Sequence, residues 1–260
     1  MSNRDQVWEL EPYITGRLRI PLWECFMGTN DCTMRDIVFW VTVLRKGDSV
    51  GLVDSGLPVA QDDLNALNEA CQAVDPESYF RDVMTLPDIL EAADLRPDDI
   101  DFVLITQSIN YCTGGLDSSL LPRAEIYMAR AGIEEFLYDN PGHPARDMYF
   151  TESTWSYLFE AIKENRFIGV ADEVAVAEGL TFAHTGGHHP GSAAVIVERP
   201  GGPIALMETA FVQENIDRDI PIGIAESAAI ARQAVRSYKA RGITPLAYHE
   251  PSLDQLIAQH

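Results

Sequence analysis

"LITQSINYCTGG", Leu104 to Gly115, begins as the end of a buried strand and finishes as a tight turn above it. The apolar run that feeds it, within "DDIDFVLIT", has the length of a strand and is bounded by acids on one side and polar residues on the other. Gln107, Ser108, Asn110, Tyr111 and Cys112 then follow the strand's carboxyl end, where α/β folds commonly build sites.

The neighbouring stretches have the same grammar. "DIVFWVTVLRKGDSVGLVDSG" reads as two β-rich runs joined by a hairpin turn at "RKGDS", the second ending in Asp54 and Gly56. "AQDDLNALNEACQAV" has helical spacing, "RAEIYMA" reads as a short strand and "GIEEFLYDN" as a helix. "ESTWSYLFEAIKEN" is a stronger amphipathic helix, with Trp155, Leu158, Phe159 and Ile162 expected on its buried face. The last third is strand-rich: "EVAVAEG", "LTFAHT", "SAAVIVE" and "PIALMET" precede the helix "ESAAIARQAVRSYKARG" and a final strand in "TPLAYHEPS". This order suggests two packed sheets covered by helices on the outside, not a doubly wound parallel sheet. No linker or internal repeat interrupts it, so residues 1–260 read as one domain, with segment 1–36 packing on the sheets.

Composition narrows the partners. Nineteen basic against 40 acidic residues give a formal charge of −21, which repels nucleic acid and anionic membrane surfaces. No apolar run approaches the roughly 20 residues that span a bilayer, and the opening "MSNRDQVWELEPY" lacks a signal-peptide core. Cys25, Cys32, Cys71 and Cys112 form no CxxC pair and read as reduced thiols of a cytoplasmic protein.

Beyond the loop at Gln107, polar groups cluster just past strand ends at Asp54, in "HTGGHHPGS" (His184 to Ser192) and at His249. Glu208, in "ALMETAF", is the hardest of these to read as incidental. A carboxylate in an apolar stretch costs several kcal/mol unless it is paired, hydrogen-bonded or coordinated.

In order, these motifs (strand-Asp-x-Gly, a polar loop ending Gly-Gly, Thr-x-Gly-His-x-x-Gly, strand-acid-x-Ala, strand-His) resemble the metallo-β-lactamase superfamily. The resemblance runs from about Thr42 to His249, and "GGLDSSLLPRAEIYMARAGIEEF" looks like the N-acyl homoserine lactonase branch. It implies an αββα sandwich of two mixed sheets flanked by helices, with the site along the sheets' upper edge. It also implies two metal ions on His-x-His-x-Asp-His, a later His, a bridging Asp and a final His, activating a water for attack on a carbonyl.

Aligned on "IT" and "GG", Gln107 and Ile109 take the first two His positions, Tyr111 takes the Asp and Cys112 the third His. His188 matches the later His, Glu208 the bridging Asp, His249 the final His and Asp54 a ligand-orienting acid. Three expectations follow. The first is a hydrolase of an ester, lactone or related carbonyl with catalysis rebuilt on His188, His249, Cys112, Tyr111 and Glu208, without metal. Gln107, Asn110, His189 and Phe211 would then contact the small-molecule substrate. The second keeps one zinc or other divalent ion on Cys112, Glu208, His249 and His188, with hydrolase, lyase or isomerase activity. The third is a non-catalytic protein that binds a ligand or partner. Tyr13, Trp23, Phe26 and Met27 read as a pocket wall, a homodimer contact or simple packing, and Glu214 to Gly223 as a loop over the cleft or a solvated connection.

Overall fold

A computed structural model describes residues 7–138 and 148–260. The expected N-terminal segment therefore begins outside the described residues at positions 1–6, as does the end of "GIEEFLYDN" at positions 139 and 140.

Six strands form the first sheet in sequence order: β1 (Glu9–Pro21), β2 (Met34–Lys46), β3 (Ser49–Val53), β4 (Phe102–Ile105), β5 (Glu125–Ala129) and β6 (Phe167–Val170). The first two pairings are antiparallel and the remaining three parallel. The second sheet has five strands, β7 (Glu173–Ala177), β8 (Leu180–His184), β9 (Ala193–Val197), β10 (Ile204–Met207) and β11 (Thr244–Ala247), parallel only between β10 and β11. Both sheets are mixed.

The two-residue period of a strand explains the layering. Val38, Trp40 and Leu44 of β2, Phe102 and Leu104 of β4, Val195 of β9 and Leu206 of β10 enter the core between the sheets. Their alternates face outward. Val41, Val43, Val103 and Ile105 pack under α3 (Leu86–Ala92) and α6 (Glu152–Lys163), while Ala194, Ile196, Ala205 and Met207 pack under α8 (Ala228–Ala240). Each buried Val, Ile, Leu or Met among these contributes on the order of 1.5–3 kcal/mol. The result is the αββα sandwich.

Two readings of the sequence change. The expected buried face of α6 is corrected: Phe159 and Ile162 are 56% and 44% exposed, and the helix buries Thr154, Tyr157, Leu158 and Ala161. Tyr157 can turn inward because its hydroxyl donates to the Leu121 carbonyl at 2.7 Å, so burying the ring strands no polar group. Residues 9–21 also do more than pack on the sandwich, since they form the edge strand of the first sheet. Among the described residues no helix is long and apolar enough to cross a membrane.

Candidate active site

The polar loops follow the carboxyl ends of β3, β4, β8, β10 and β11, and two anchors fix the first of them. Asp54 sits in the left-handed region (φ 61°) and is buried. It accepts the Thr106 backbone N–H and hydroxyl, both at 2.7 Å. Burial raises its pKa to about 7, against the two hydrogen bonds that lower it. Next to it, the Ser55 backbone N–H and hydroxyl donate to the Cys112 carbonyl at 2.8 and 2.9 Å. Gly114 and Gly115 close this loop, and a Cβ on either would collide with backbone between Ser55 and Pro58. That close approach is the physical reason for "GG".

The second histidine loop is seated on α8. Gly187 has φ +95°, and a Cβ there would stand 2.7 Å from the Ala231 backbone nitrogen. His188 is thereby held inward and is only 3% exposed. Its Nε2 lies 3.7 Å from Glu208 Oε1, and His249 Nε2 lies 3.5 Å from the same oxygen. Glu208, with no exposed surface, accepts the Ser192 hydroxyl through Oε2 at 2.8 Å. Phe211 sets its ring edge-on to both imidazoles, with centroids 4.9 Å from His188 and 5.5 Å from His249.

Electrostatics separate these groups. Burial pushes the His188 pKa well below the ordinary imidazole range, helped by the charges of His189 and His249, so the ring is neutral. Burial pushes the Glu208 carboxyl upward, while the neighbouring His249 and the Ser192 hydroxyl draw it down. His249 Nδ1 lies 3.0 Å from the Val38 carbonyl. A carbonyl can only accept, so Nδ1 carries a proton and Nε2 faces Glu208. Among the described residues, Glu208 Oε1 and His188 Nε2 have no hydrogen-bond partner.

His188 and His249 line a cavity of about 220 Å³, with Glu208 beside them but not in its wall, which is mostly apolar and includes Leu18, Ile20, Ile37, Phe39, Ile109 and Phe211. Tyr111, Tyr149 and His189 also line it. Tyr111 donates its hydroxyl to Gln107 Oε1 at 2.7 Å, and burial holds its pKa well above the phenol range.

The structure thus brings together His188, Glu208, His249, Tyr111, Phe211 and His189. Gln107, Asn110 and Cys112 are buried behind the wall and do not line the cavity. The Cys112 sulfur lies 4.0 Å from the Thr106 hydroxyl, and burial raises its pKa well above the thiol range, with Asp54 and Glu208 adding to the shift. Tyr13, Trp23, Phe26 and Met27 do not line the cavity either, although the nearby Glu24 does. At the end of the loop from Glu214, Gly223 donates its N–H to the Glu24 carbonyl at 2.7 Å, and the next residue, Ile224, lines the cavity. Sequence reasoning missed Ser192 as the partner of Glu208 and missed Glu24. The isolated acid in "PLWECFM" carries the same signal that singled out Glu208.

No protein-family model matches the chain, and no curated protein matches it. Solved structures do. An N-acyl homoserine lactone hydrolase with the product N-hexanoyl-L-homoserine at its catalytic metal centre superposes with a TM-score of 0.77, at 16% identity over 96% of each chain. A probable metal-dependent hydrolase from Staphylococcus aureus gives 0.71 at 15% identity, covering 96% of this chain and 91% of the other. The hydrolase AbOPH of the β-lactamase superfamily also gives 0.71 at 15% identity, covering 97% and 89%. The fold is that of the metallo-β-lactamase superfamily, with N-acyl homoserine lactonases among its structural neighbours.

A metal centre of the kind named for the first neighbour does not fit the side chains here. Ile109 has no donor atom, the Tyr111 hydroxyl is engaged by Gln107, and Cys112 lies behind the wall beside Thr106. The set Cys112, Glu208, His249 and His188, expected for a single ion, is not assembled. Among the described residues no group of three or more His, Cys, Asp or Glu side chains could hold a metal ion.

Proposed function

We propose that the protein hydrolyses a small, largely apolar ester, lactone or related carbonyl compound through His188, Glu208 and His249. One observation carries this reading. His188 Nε2 and Glu208 Oε1 are buried, lack hydrogen-bond partners among the described residues and stand 3.7 Å apart beside a mostly apolar cavity. Buried polar atoms are rarely left so, and a water held between an imidazole and a carboxyl group would satisfy both.

In this scheme neutral His188 takes a proton from that water as its oxygen adds to the substrate carbonyl. Glu208 then faces the imidazolium and stabilises it, with its own position held by Ser192 and His249. Tyr111, a neutral phenol in the cavity wall, turns its hydroxyl from Gln107 to the developing oxyanion. Collapse of the tetrahedral intermediate expels the alkoxide, which recovers the proton from His188. The products are a carboxylic acid and an alcohol. The apolar lining favours the acyl or alkyl portion of the substrate.

The test is turnover of acyl lactones and aryl esters of graded chain length by protein dialysed against a chelator. Turnover should survive dialysis and fall by roughly 10²–10⁴-fold in His188→Ala, with Glu208→Gln falling in the same direction. Loss of activity on dialysis, or a His188→Ala enzyme at the wild-type rate, ends this mechanism. No turnover on any substrate leaves a ligand-binding protein.

A further inference from the structure

Among the described residues that line the cavity, one carries a carboxyl group. Glu24, in the short helix α1 (Leu22–Cys25), lines it and is 7% exposed. Among the described residues no hydrogen bond or ion pair reaches its carboxylate. Arg35, whose charge acts on the adjacent Cys25, is bound to Glu214 at 2.8 Å. The neighbouring charge, Asp75, is of the same sign, and burial with that repulsion raises the Glu24 pKa to about 7. A carboxyl group so nearly covered and without a partner gains from any cation that reaches it.

Glu24 shares the cavity wall with Leu18, Ile20, Cys71 and Val74, so an apolar body bound beside it stays in apolar surroundings.

We infer that Glu24 selects ligands carrying a cationic amine at one end of an apolar body, the ammonium pairing with Glu24 and the body filling the wall. This rests on the cavity being the substrate site and narrows the proposed substrate to an amine-bearing ester or lactone. Among the described residues, a cation meeting this carboxylate finds no competing basic side chain in the wall beyond the histidines, and the protein's net charge of −21 draws cations toward it. An anionic ligand meets repulsion instead.

Binding of n-octylamine, 1-octanol and octanoate to the full chain, measured by calorimetry at about pH 8 where the amine is charged, tests it without any turnover. Octylammonium should bind at least about tenfold more tightly than octanoate, with octanol between them. Glu24→Gln should bring the three within about threefold of one another, while His188→Ala, whatever it does to hydrolysis, should keep the wild-type order. Octanoate binding as well as octylammonium, no saturable amine binding, or a preference that survives Glu24→Gln would overturn the inference. Should Glu24→Gln not fold, the wild-type order decides alone. Hydrolysis without an ammonium preference sinks this inference only, and an ammonium preference without hydrolysis sinks only the catalytic reading.

Discussion

Glu208 Oε1 lies 3.5 Å from His249 Nε2, while Oε2 of the same carboxylate accepts the Ser192 hydroxyl at 2.8 Å. His249 Nδ1 donates to the Val38 carbonyl, which leaves Nε2 facing Oε1. Both partners of Glu208 draw its raised pKa downward. Removing one should raise it further. Ser192→Ala is therefore expected to move the acidic limb of the pH–rate profile to higher pH, with the plateau rate reduced far less than in Glu208→Gln. An unmoved limb would show that ionised Glu208 does not control the reaction.

His188 gives a stability effect of definite sign. Its pKa in the folded protein is pushed well below the ordinary imidazole value of 6.5 by burial, so below 6.5 the unfolded chain binds a proton that the folded chain refuses. Stability then rises with pH wherever the unfolded state holds more protons, and this contribution is lost as pH falls through 6.5. Asp54, raised to about 7, acts oppositely over the range between 3.8 and 7. The signature must be read as a difference. The loss of melting temperature on going from about pH 7.5 to about pH 5.5 should be smaller in His188→Gln than in wild type. An equal or larger loss in the variant contradicts a neutral, buried His188.

What the sequence revealed and what it hid divide along physical lines. The strands around Val41 and Ile196 were legible because period-two alternation is a local property. Glu208 was legible because an acid in an apolar strand needs a reason. The face of α6 was misread because a wheel ranks Phe159 and Ile162 above Tyr157, and only the distant Leu121 carbonyl makes burial of Tyr157 inexpensive. Strand β1, "ELEPYITGRLRIP", mixes charges, proline and glycine as sheet edges do, which blunts its pattern. The orientation of Cys112 depends on Thr106 and Asp54, and no spacing rule states which way a thiol turns.

Tyr111 is held by one bond, and its loss should register in folding. Tyr111→Phe leaves the Gln107 Oε1 acceptor buried without its 2.7 Å donor, in a residue whose Nε2 already lacks a partner. The expected cost is about 1–3 kcal/mol in urea unfolding. Gln107→Leu with Tyr111→Phe should recover part of that loss, since the pair then carries no stranded polar group. A double variant no more stable than Tyr111→Phe would show that the bond is not what holds this loop.

Cys112 supplies the sharpest test of which chemistry the loop supports. Its thiol is 2% exposed and pushed well above the ordinary thiol range by burial, with the charges of Asp54 and Glu208 adding to it. A thiol so placed is a poor nucleophile, because the thiolate is the reactive form. Cys32 is exposed, whereas Cys71 is half-buried and raised to about 11. Native protein treated with a thiol reagent should therefore label Cys32 first and Cys112 only on unfolding. Cys112→Ala should keep catalytic turnover within about threefold of wild type, well short of the 10²–10⁴-fold expected of a lost acid–base group. Rapid labelling of Cys112 that is matched by loss of turnover would move the nucleophile from the water at His188 to this sulfur.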